Sequence, residues 1–235
     1  MATTVHRLGE HFMITITLEG DNLGKAIHKA IDVLNSGGII AYPTETFYGL
    51  GVRFDIVGSL RRLYDLKRRP REKAMPLIIG HAGLLCEIVL PAWLGHVPSP
   101  VTSLMNRFWP GPLTLLLPAK EGLSEFLTAG SGTIAVRVPG ESFALRLART
   151  AGFPITATSA NLSGMPPAAS GREVLRHFDD RIDLLIDGGE TSGRLPSTIV
   201  DASGKRARIV REGAIEREEL ENCLVRSQGE QVFED

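Results

Sequence analysis

An apolar run of five residues, Gly38 to Tyr42, stands directly behind an amphipathic helical stripe and stops at Pro43. The stripe is Leu23, Ala26, Ile27, Ala30, Ile31 and Leu34, with Asp21 or Asn22 placed to cap its start and Gly37-Gly38 to end it. The run reads as a strand, and the chain then changes character at once: Thr44, Glu45 and Thr46 supply hydroxyls and a carboxylate, and Gly49 and Gly51 follow. Polar groups at the end of an apolar strand face a cleft. A fold of this chain must therefore bury Gly38 to Tyr42 and leave the T-E-T segment at an open edge.

A second helical pattern begins near Asp55 and turns Ile56, Leu60, Leu63 and Tyr64 inward, and Pro70 forces it to stop nearby. Lys67 then falls in the last turn and Arg69 beyond it, both able to leave the helix surface and reach a cleft. Between Arg61 and Lys73, seven cations (Arg61, Arg62, Lys67, Arg68, Arg69, Arg71, Lys73) stand against Asp65 and Glu72, a local +5 in a chain whose net charge is −1. Positive charge concentrated in this way suits an anionic ligand.

The remaining pattern alternates short strands with helices. Met13 to Leu18, within Val5 to Leu18, alternates as a half-buried strand does, with the residues before it expected to be loose. Pro76 to Gly80 reads as a buried strand, Ala82 to Leu90 as a helix facing Leu84, Leu85, Ile88 and Val89 inward, and Pro98 to Phe108 as another helix. Trp109-Pro110-Gly111-Pro112 breaks that helix before the strand Leu113 to Leu117, where Thr114 is the one polar residue, and Trp109 reads as a rigid corner ahead of a base-stacking platform. Arg137 interrupts the apolar strand Gly132 to Pro139 and needs a partner, either a structural carboxylate or a substrate. A helix, Phe143 to Ala151, follows. The strand Phe153 to Thr158 runs into Ser159-Ala160-Asn161-Leu162-Ser163-Gly164, a loop of short donors and acceptors that suits phosphate or ribose and equally suits an ordinary turn. Ser170-Gly-Arg-Glu173 is a capping-box pattern for a helix, and Ile182 to Ile186, Pro196 to Asp201 and Ala207 to Glu212 read as strands. Glu216 to Val225 suits a charged helix, with a polar tail after it.

In order along the chain stand Y-P-T-E-T-F-Y-G-L-G, K-R-R-P with a later P-L, F-W-P-G-P-L-T, A-V-R-V-P, T-S-A-N-L-S-G, P-S-T-I-V-D and I-V-R-E-G. Together they resemble the YrdC family of threonylcarbamoyl-AMP synthases, in its single-domain type, over roughly residues 15 to 215. The resemblance implies an α/β fold, a twisted mixed sheet with flanking helices and a concave basic cleft. It implies a catalytic domain at 1–215 and a charged helix and polar tail at 216–235. It implies an adenylation that joins L-threonine, bicarbonate or CO2, and ATP, with Mg2+ accompanying the phosphates, for a downstream threonylcarbamoyl transferase that modifies tRNA. Residue by residue, it assigns Lys67 and Arg69 to catalysis and ATP, Arg71, Thr133, Ser159, Asn161 and Arg211 to ATP, and Thr44, Arg137 and Ser197 to threonine. One departure is the five-residue linker between Pro70 and Pro76, longer than a common family form, across which the roles of Arg71 and Met75 do not carry over directly.

The composition fits an enzyme of this kind: 235 residues, 43% hydrophobic and 23% charged, describe a globular chain able to bury a full core. No apolar run approaches the roughly 18 to 20 residues that cross a bilayer, so no membrane contact is expected and the cytoplasm is the expected address. Cys86 and Cys223 lack metal-ligand spacing and read as reduced thiols. Walker, dinucleotide-binding, zinc-protease and serine-hydrolase motifs are missing, so ATP is expected to be held in another way. A basic concave face would also attract RNA, which gives a second reading, a non-catalytic RNA-binding module. The resemblance extends to relatives fused to hydrogenase-maturation enzymes, which gives a third, a carbamoyl-transfer accessory that handles another carbamoyl adenylate.

Overall fold

The computed structural model describes residues 3–8, 11–179, 181–191, 195–204 and 206–228. The chain opens with β1 (Thr3–Leu8) and β2 (His11–Thr17), paired antiparallel from Thr3 opposite Ile16 to Leu8 opposite His11. The segment expected to be loose ahead of Met13 is thus strand, held by its ladder to β2. Helix α1 (Leu23–Asn35) buries Ala26, Ile27, Ala30 and Leu34, as its stripe requires. Asn22 precedes it without capping it: its side-chain oxygen accepts from the Glu19 N–H at 3.2 Å and its amide donates to the Thr17 carbonyl at 2.7 Å, which ties the helix start to the end of β2.

Strands β3 (Ile40–Pro43) and β4 (Tyr48–Gly51) form an antiparallel pair with Tyr42 opposite Gly49. A Cβ at Gly51 would lie 2.8 Å from the Tyr42 ring and 3.0 Å from the Thr156 carbonyl, so only glycine permits this approach. Helix α2 (Val57–Lys67) buries Leu60, Leu63 and Tyr64 and ends at Arg68 in the left-handed region (φ 49°). After β5 (Leu77–Ile78), Ala82–Glu87 is a 3₁₀ helix where a regular helix to Leu90 was expected. The reason is tertiary: Lys120 N–H donates to the Ile88 carbonyl and Leu90 N–H to the Pro118 carbonyl, which draws the segment's end to a strand.

Then follow α3 (Pro91–Leu94), α4 (Ser99–Phe108), β6 (Leu113–Pro118), α5 (Glu125–Thr128), β7 (Thr133–Arg137) and α6 (Phe143–Ala151). The expected strand Phe153 to Thr158 is split at Ala157 into β8 (Ile155–Thr156) and β9 (Thr158–Ser159). The chain closes with α7 (Gly171–Phe178), β10 (Leu184–Asp187), β11 (Thr198–Asp201), β12 (Arg208–Arg211) and α8 (Arg217–Gln228). Half of the capping box of α7 forms, Ser170 Oγ accepting from the Glu173 N–H at 3.3 Å, while the Glu173 carboxylate accepts from the N–H of Ala169, one residue before the cap, at 2.7 Å. The charged α8 is amphipathic in use: Leu220 and Leu224 are buried and Cys223 Sγ lies 3.6 Å from the Ser103 carbonyl of α4.

The strands form two mixed six-stranded sheets, ordered β1-β2-β10-β3-β4-β9 and β12-β11-β6-β7-β5-β8. The division into two sheets is the chief refinement of the twisted mixed sheet expected from the sequence. Successive residues of β3 face opposite ways: Ile40 and Tyr42 join Phe143, Leu147, Leu184 and Ile186 under α1 and α6, while Ala41 joins the larger core with Leu50, Leu63 and Leu77. Burial on both faces accounts for the unbroken apolar run at 38–42.

Candidate active site

Strand register brings the candidate residues to two facing edges. In the first sheet, Asp187 ends β10, Pro43 ends β3, Tyr48 opens β4, and Ser159, opposite Gly49, ends β9. In the second sheet, Val136 pairs with Leu115, Leu113 with Thr198, and Ile199 with Arg211, so the end of β7, the starts of β6 and β11 and the end of β12 share one edge. Glu45, just past β3, joins Arg137 at the end of β7: Arg137 Nη1 donates to Glu45 Oε1 at 2.6 Å, with the side chains only 10% and 17% exposed. This ion pair answers the arginine's need for a partner with a carboxylate of the chain. Tyr42 lies beside it, its phenol pushed up by burial, pulled down by the Arg137 guanidinium and raised again by Glu45.

Next to Arg137 on the same edge, Thr114 and Ser197 hydroxyls stand 2.9 Å apart, and Arg211 Nη2 donates to the Ser197 carbonyl at 2.7 Å and its Oγ at 3.3 Å. Burial and the nearby Arg137 guanidinium both lower the Arg211 pKa, so two cations approach one another here. Gly213 holds this corner: a Cβ there would fall 2.3 Å from the Pro196 carbonyl oxygen and 2.6 Å from the Ser197 carbonyl carbon. Thr44 is buried beside Glu45, its Oγ1 donating to the Phe47 carbonyl at 2.7 Å and accepting from the Thr46 N–H at 3.1 Å, a local turn that turns the loop off β3.

Lys67 is almost wholly buried, 1% exposed, and donates to the carbonyls of Ser159 at 2.5 Å and Asn161 at 2.6 Å. The free reach of this lysine from a helix end into a cleft is corrected: its chain runs inward under the loop after β9. Burial, then the neighbouring Arg69 charge, lowers its pKa to about 7. Arg69 is half-buried, its Nε donating to the Lys73 carbonyl at 2.8 Å, Nη2 to Ala74 at 2.6 Å and Nη1 to Thr158 Oγ1 at 3.3 Å. The Tyr64 hydroxyl lies among the carbonyls of Pro70, Arg71 and Lys73 at 2.9, 3.2 and 2.8 Å. Ser159 Oγ donates to Asn161 Oδ1 at 2.5 Å, and Asn161 Nδ2 donates to the carbonyls of Leu162 and Met165 at 2.9 and 2.7 Å.

The structure thus gathers Lys67, Arg69, Ser159 and Asn161 into one cluster and Arg137, Ser197 and Arg211 into a second, with Thr44 on the loop that meets Arg137. Arg71 is exposed in the linker and Met75 is core. Thr133 stands at the far end of β7, four residues and so roughly 13 Å from Arg137, sharing a hydrogen bond with Ser131. Sequence reasoning missed the pairing role of Glu45, the linker-holding role of Tyr64 and the contact of Thr158 with Arg69. Trp109 is a corner as expected, its Nε1 donating to the Leu113 carbonyl at 2.7 Å.

The family model Sua5/YciO/YrdC, described as telomere recombination, matches residues 32–213. The chain belongs to this family. Within the Sua5/YciO/YrdC family it is 35% identical over 216 residues to the threonylcarbamoyl-AMP synthase of Bacillus subtilis (strain 168), across 92% of this chain and 61% of the relative. It is 38% identical over 185 residues to the threonylcarbamoyl-AMP synthase of Enterobacter sp. (strain 638), across 78% of this chain and 95% of that relative. The crystal structure of Pyrococcus abyssi Sua5 complexed with L-threonine superposes with a TM-score of 0.84 at 34% identity, covering 94% of this chain and 63% of that one. The chain therefore spans under two thirds of the length of the Bacillus relative and of the Pyrococcus structure.

Proposed function

We propose that this chain forms threonylcarbamoyl-AMP and pyrophosphate from L-threonine, bicarbonate or CO2, and ATP. The observation that carries the reading is the gathering of Lys67, Arg69, Ser159 and Asn161 at the end of one sheet and of Arg137, Ser197 and Arg211 at the end of the other, with Glu45 of the first bonded to Arg137 of the second. Names of the relatives and the threonine in the Pyrococcus Sua5 crystal support the same substrate pair.

The chemistry is an adenylation. Threonine's amine adds to CO2 and loses a proton to give a carbamate. A carbamate oxygen attacks the α-phosphorus of ATP, and the bond from that phosphorus to the bridging oxygen breaks with its electron pair leaving on pyrophosphate. Such a step needs alignment and neutralised charge more than a protein nucleophile. Arg137 would receive the amino-acid carboxylate, a forked acceptor suited to guanidinium, beside Thr44 and the Ser197 hydroxyl, and Arg211, bonded to Ser197, would reach from there to the nucleotide. Arg69, Ser159 and Asn161 would position the nucleotide at the other edge. Magnesium enters with the triphosphate as part of the substrate, held by phosphate oxygens and water.

The test is mass spectrometry of nucleotide products after incubation with ATP, magnesium, bicarbonate and threonine. A threonylcarbamoyl adenylate that forms only with threonine and bicarbonate together is the expected result. Pyrophosphate release with neither present, or salt-sensitive RNA binding without turnover, would overturn the reading.

A further inference from the structure

Thr114 is the one polar side chain in the run Leu113 to Leu117, and it is buried, 4% exposed. Leu113, Leu115 and Leu117 fill the core, so Thr114 faces the other side of β6. Among the described residues its hydroxyl has one hydrogen-bond partner, Ser197 Oγ at 2.9 Å. The Ser197 oxygen also accepts from Arg211 Nη2 at 3.3 Å, and an arginine can only donate. The main chain around this pair is fixed. The Thr198 N–H donates to the Pro112 carbonyl at 2.9 Å, and the buried Thr198 hydroxyl holds Ile215 by its carbonyl at 2.7 Å and its N–H at 3.0 Å. What the frame leaves free is where the two hydroxyl protons point.

Two hydroxyls share one hydrogen bond, so one proton lies between them and the other needs an acceptor elsewhere. If Ser197 donated, the Thr114 proton would be left in a buried place with no acceptor among the described residues, at the cost of an unpaired hydroxyl. If Thr114 donates, the surplus proton sits on Ser197, which is only half-buried and stands at the cleft edge just before β11. We infer that Thr114 is a positioning residue: it donates to Ser197 Oγ and thereby makes the Ser197 hydroxyl a dedicated donor toward the cleft. Both lone pairs of that oxygen are then taken, one by Thr114 and one by Arg211. Such a hydroxyl serves an oxygen acceptor and cannot accept from an ammonium group. For an amino acid this selects orientation: a carboxylate oxygen fits against Ser197 and the amine does not, which leaves the amine free to take up CO2. The proton assignment stands on geometry alone; its bearing on the amino acid rests on the threonine reading proposed above.

Hydroxyl exchange on the ligand-free, unaltered chain reads the assignment directly. With ¹³C-labelled threonine and serine in an equal mixture of H2O and D2O, a slowly exchanging hydroxyl splits its Cβ signal into two lines. The Thr114 Cβ should split and the Ser197 Cβ should stay single; a single line at Thr114, or a split at Ser197, overturns the inference. Thr114→Val keeps the shape and removes the proton. It should raise the threonine KM about tenfold, the loss of one oriented hydrogen bond, and leave the ATP KM within about twofold, while Thr114→Ser restores the parent value. A merely structural Thr114 would instead lower the melting temperature without moving the threonine KM, and that result in a folded Thr114→Val would also overturn the inference. Should Thr114→Val not fold, the exchange measurement decides alone. A parent chain that forms no threonylcarbamoyl adenylate would count against the threonine reading, with the exchange result standing on its own.

Discussion

Arg137 and Glu45, 92 residues apart in sequence, close the gap between the two sheets with one bond of 2.6 Å. Arg137 ends β7 of one sheet and Glu45 lies two residues past the end of β3 in the other, so this pair ties the two proposed substrate edges together.

Glu45→Gln should expose that dependence. Removing one partner of a mostly buried ion pair leaves the other charge uncompensated, a loss of roughly 3–5 kcal/mol when burial is complete and about 2–4 kcal/mol at the residual exposure here. Urea unfolding measures it. Arg137→Ala should in addition raise the threonine KM by at least tenfold; equal losses of stability with no change in threonine KM would confine Arg137 to a structural role.

The pH dependence of stability follows from Lys67. Its folded pKa of about 7 lies below the ordinary lysine value of 10.5, so between those pH values the unfolded chain binds more protons than the folded one. Stability from this group therefore rises with pH across that window, and its penalty is fully present below pH 7. Lys67→Met does not titrate there, so the parent's advantage over it should grow by about 1–3 kcal/mol between pH 7 and 9. Chemical denaturation at the two pH values checks it; a constant difference would mean that Lys67 keeps an ordinary pKa.

Arg68, exposed and left-handed at φ 49°, caps α2. A side chain in that conformation costs about 1–2 kcal/mol, and glycine's extra chain entropy returns about 0.5–1 kcal/mol of it, so Arg68→Gly should be more stable by about 0.5–1 kcal/mol. A higher melting temperature with unaltered turnover is the expected pair of readings.

Gly213→Ala should disturb the Ser197 corner, because its Cβ would meet the Pro196 and Ser197 backbone rather than a flexible side chain. Overpacking of this kind costs about 1–3 kcal/mol. The threonine KM should rise, while the control Gly204→Ala, whose nearest neighbour lies 3.9 Å away, should behave as the parent.

Leu224→Ala should destabilise the chain by about 2–4 kcal/mol, since this residue of α8 is buried in the common core. Thermal unfolding tests it, and a change below about 0.5 kcal/mol would show that α8 is dispensable to the fold.

Much of the scaffold was legible because it follows local periodicity: the stripes of α1, α2, α4 and α6, the capping box at Ser170, and the buried strand at Ile40 all rest on neighbours within a few turns. The candidate site was legible as a set of residue types and motifs. What the sequence withheld depends on partners far along the chain. The direction of Lys67 is decided by carbonyls 92 and 94 residues away, and the partner of Arg137 by a loop 92 residues earlier. The same holds for residues 88–90, drawn out of a helix by the strand near Pro118, and for α8, whose charged surface hides Leu220 and Leu224 against α4.

Ala157 is the single residue between two ladders: Thr156 is committed to Leu77 in one sheet and Thr158 to Leu50 in the other, while the Ala157 N–H itself donates to Pro76 at 2.8 Å. A pivot needs slack in order to turn, and this one has none. Torque on either sheet reaches the other within one peptide, and the loop that carries Ser159 and Asn161 leaves from the pivot itself. The end of β9 that carries Ser159 is therefore framed by both sheets at once, while the loops that lead away from β3 and into β11 lie outside these two ladders.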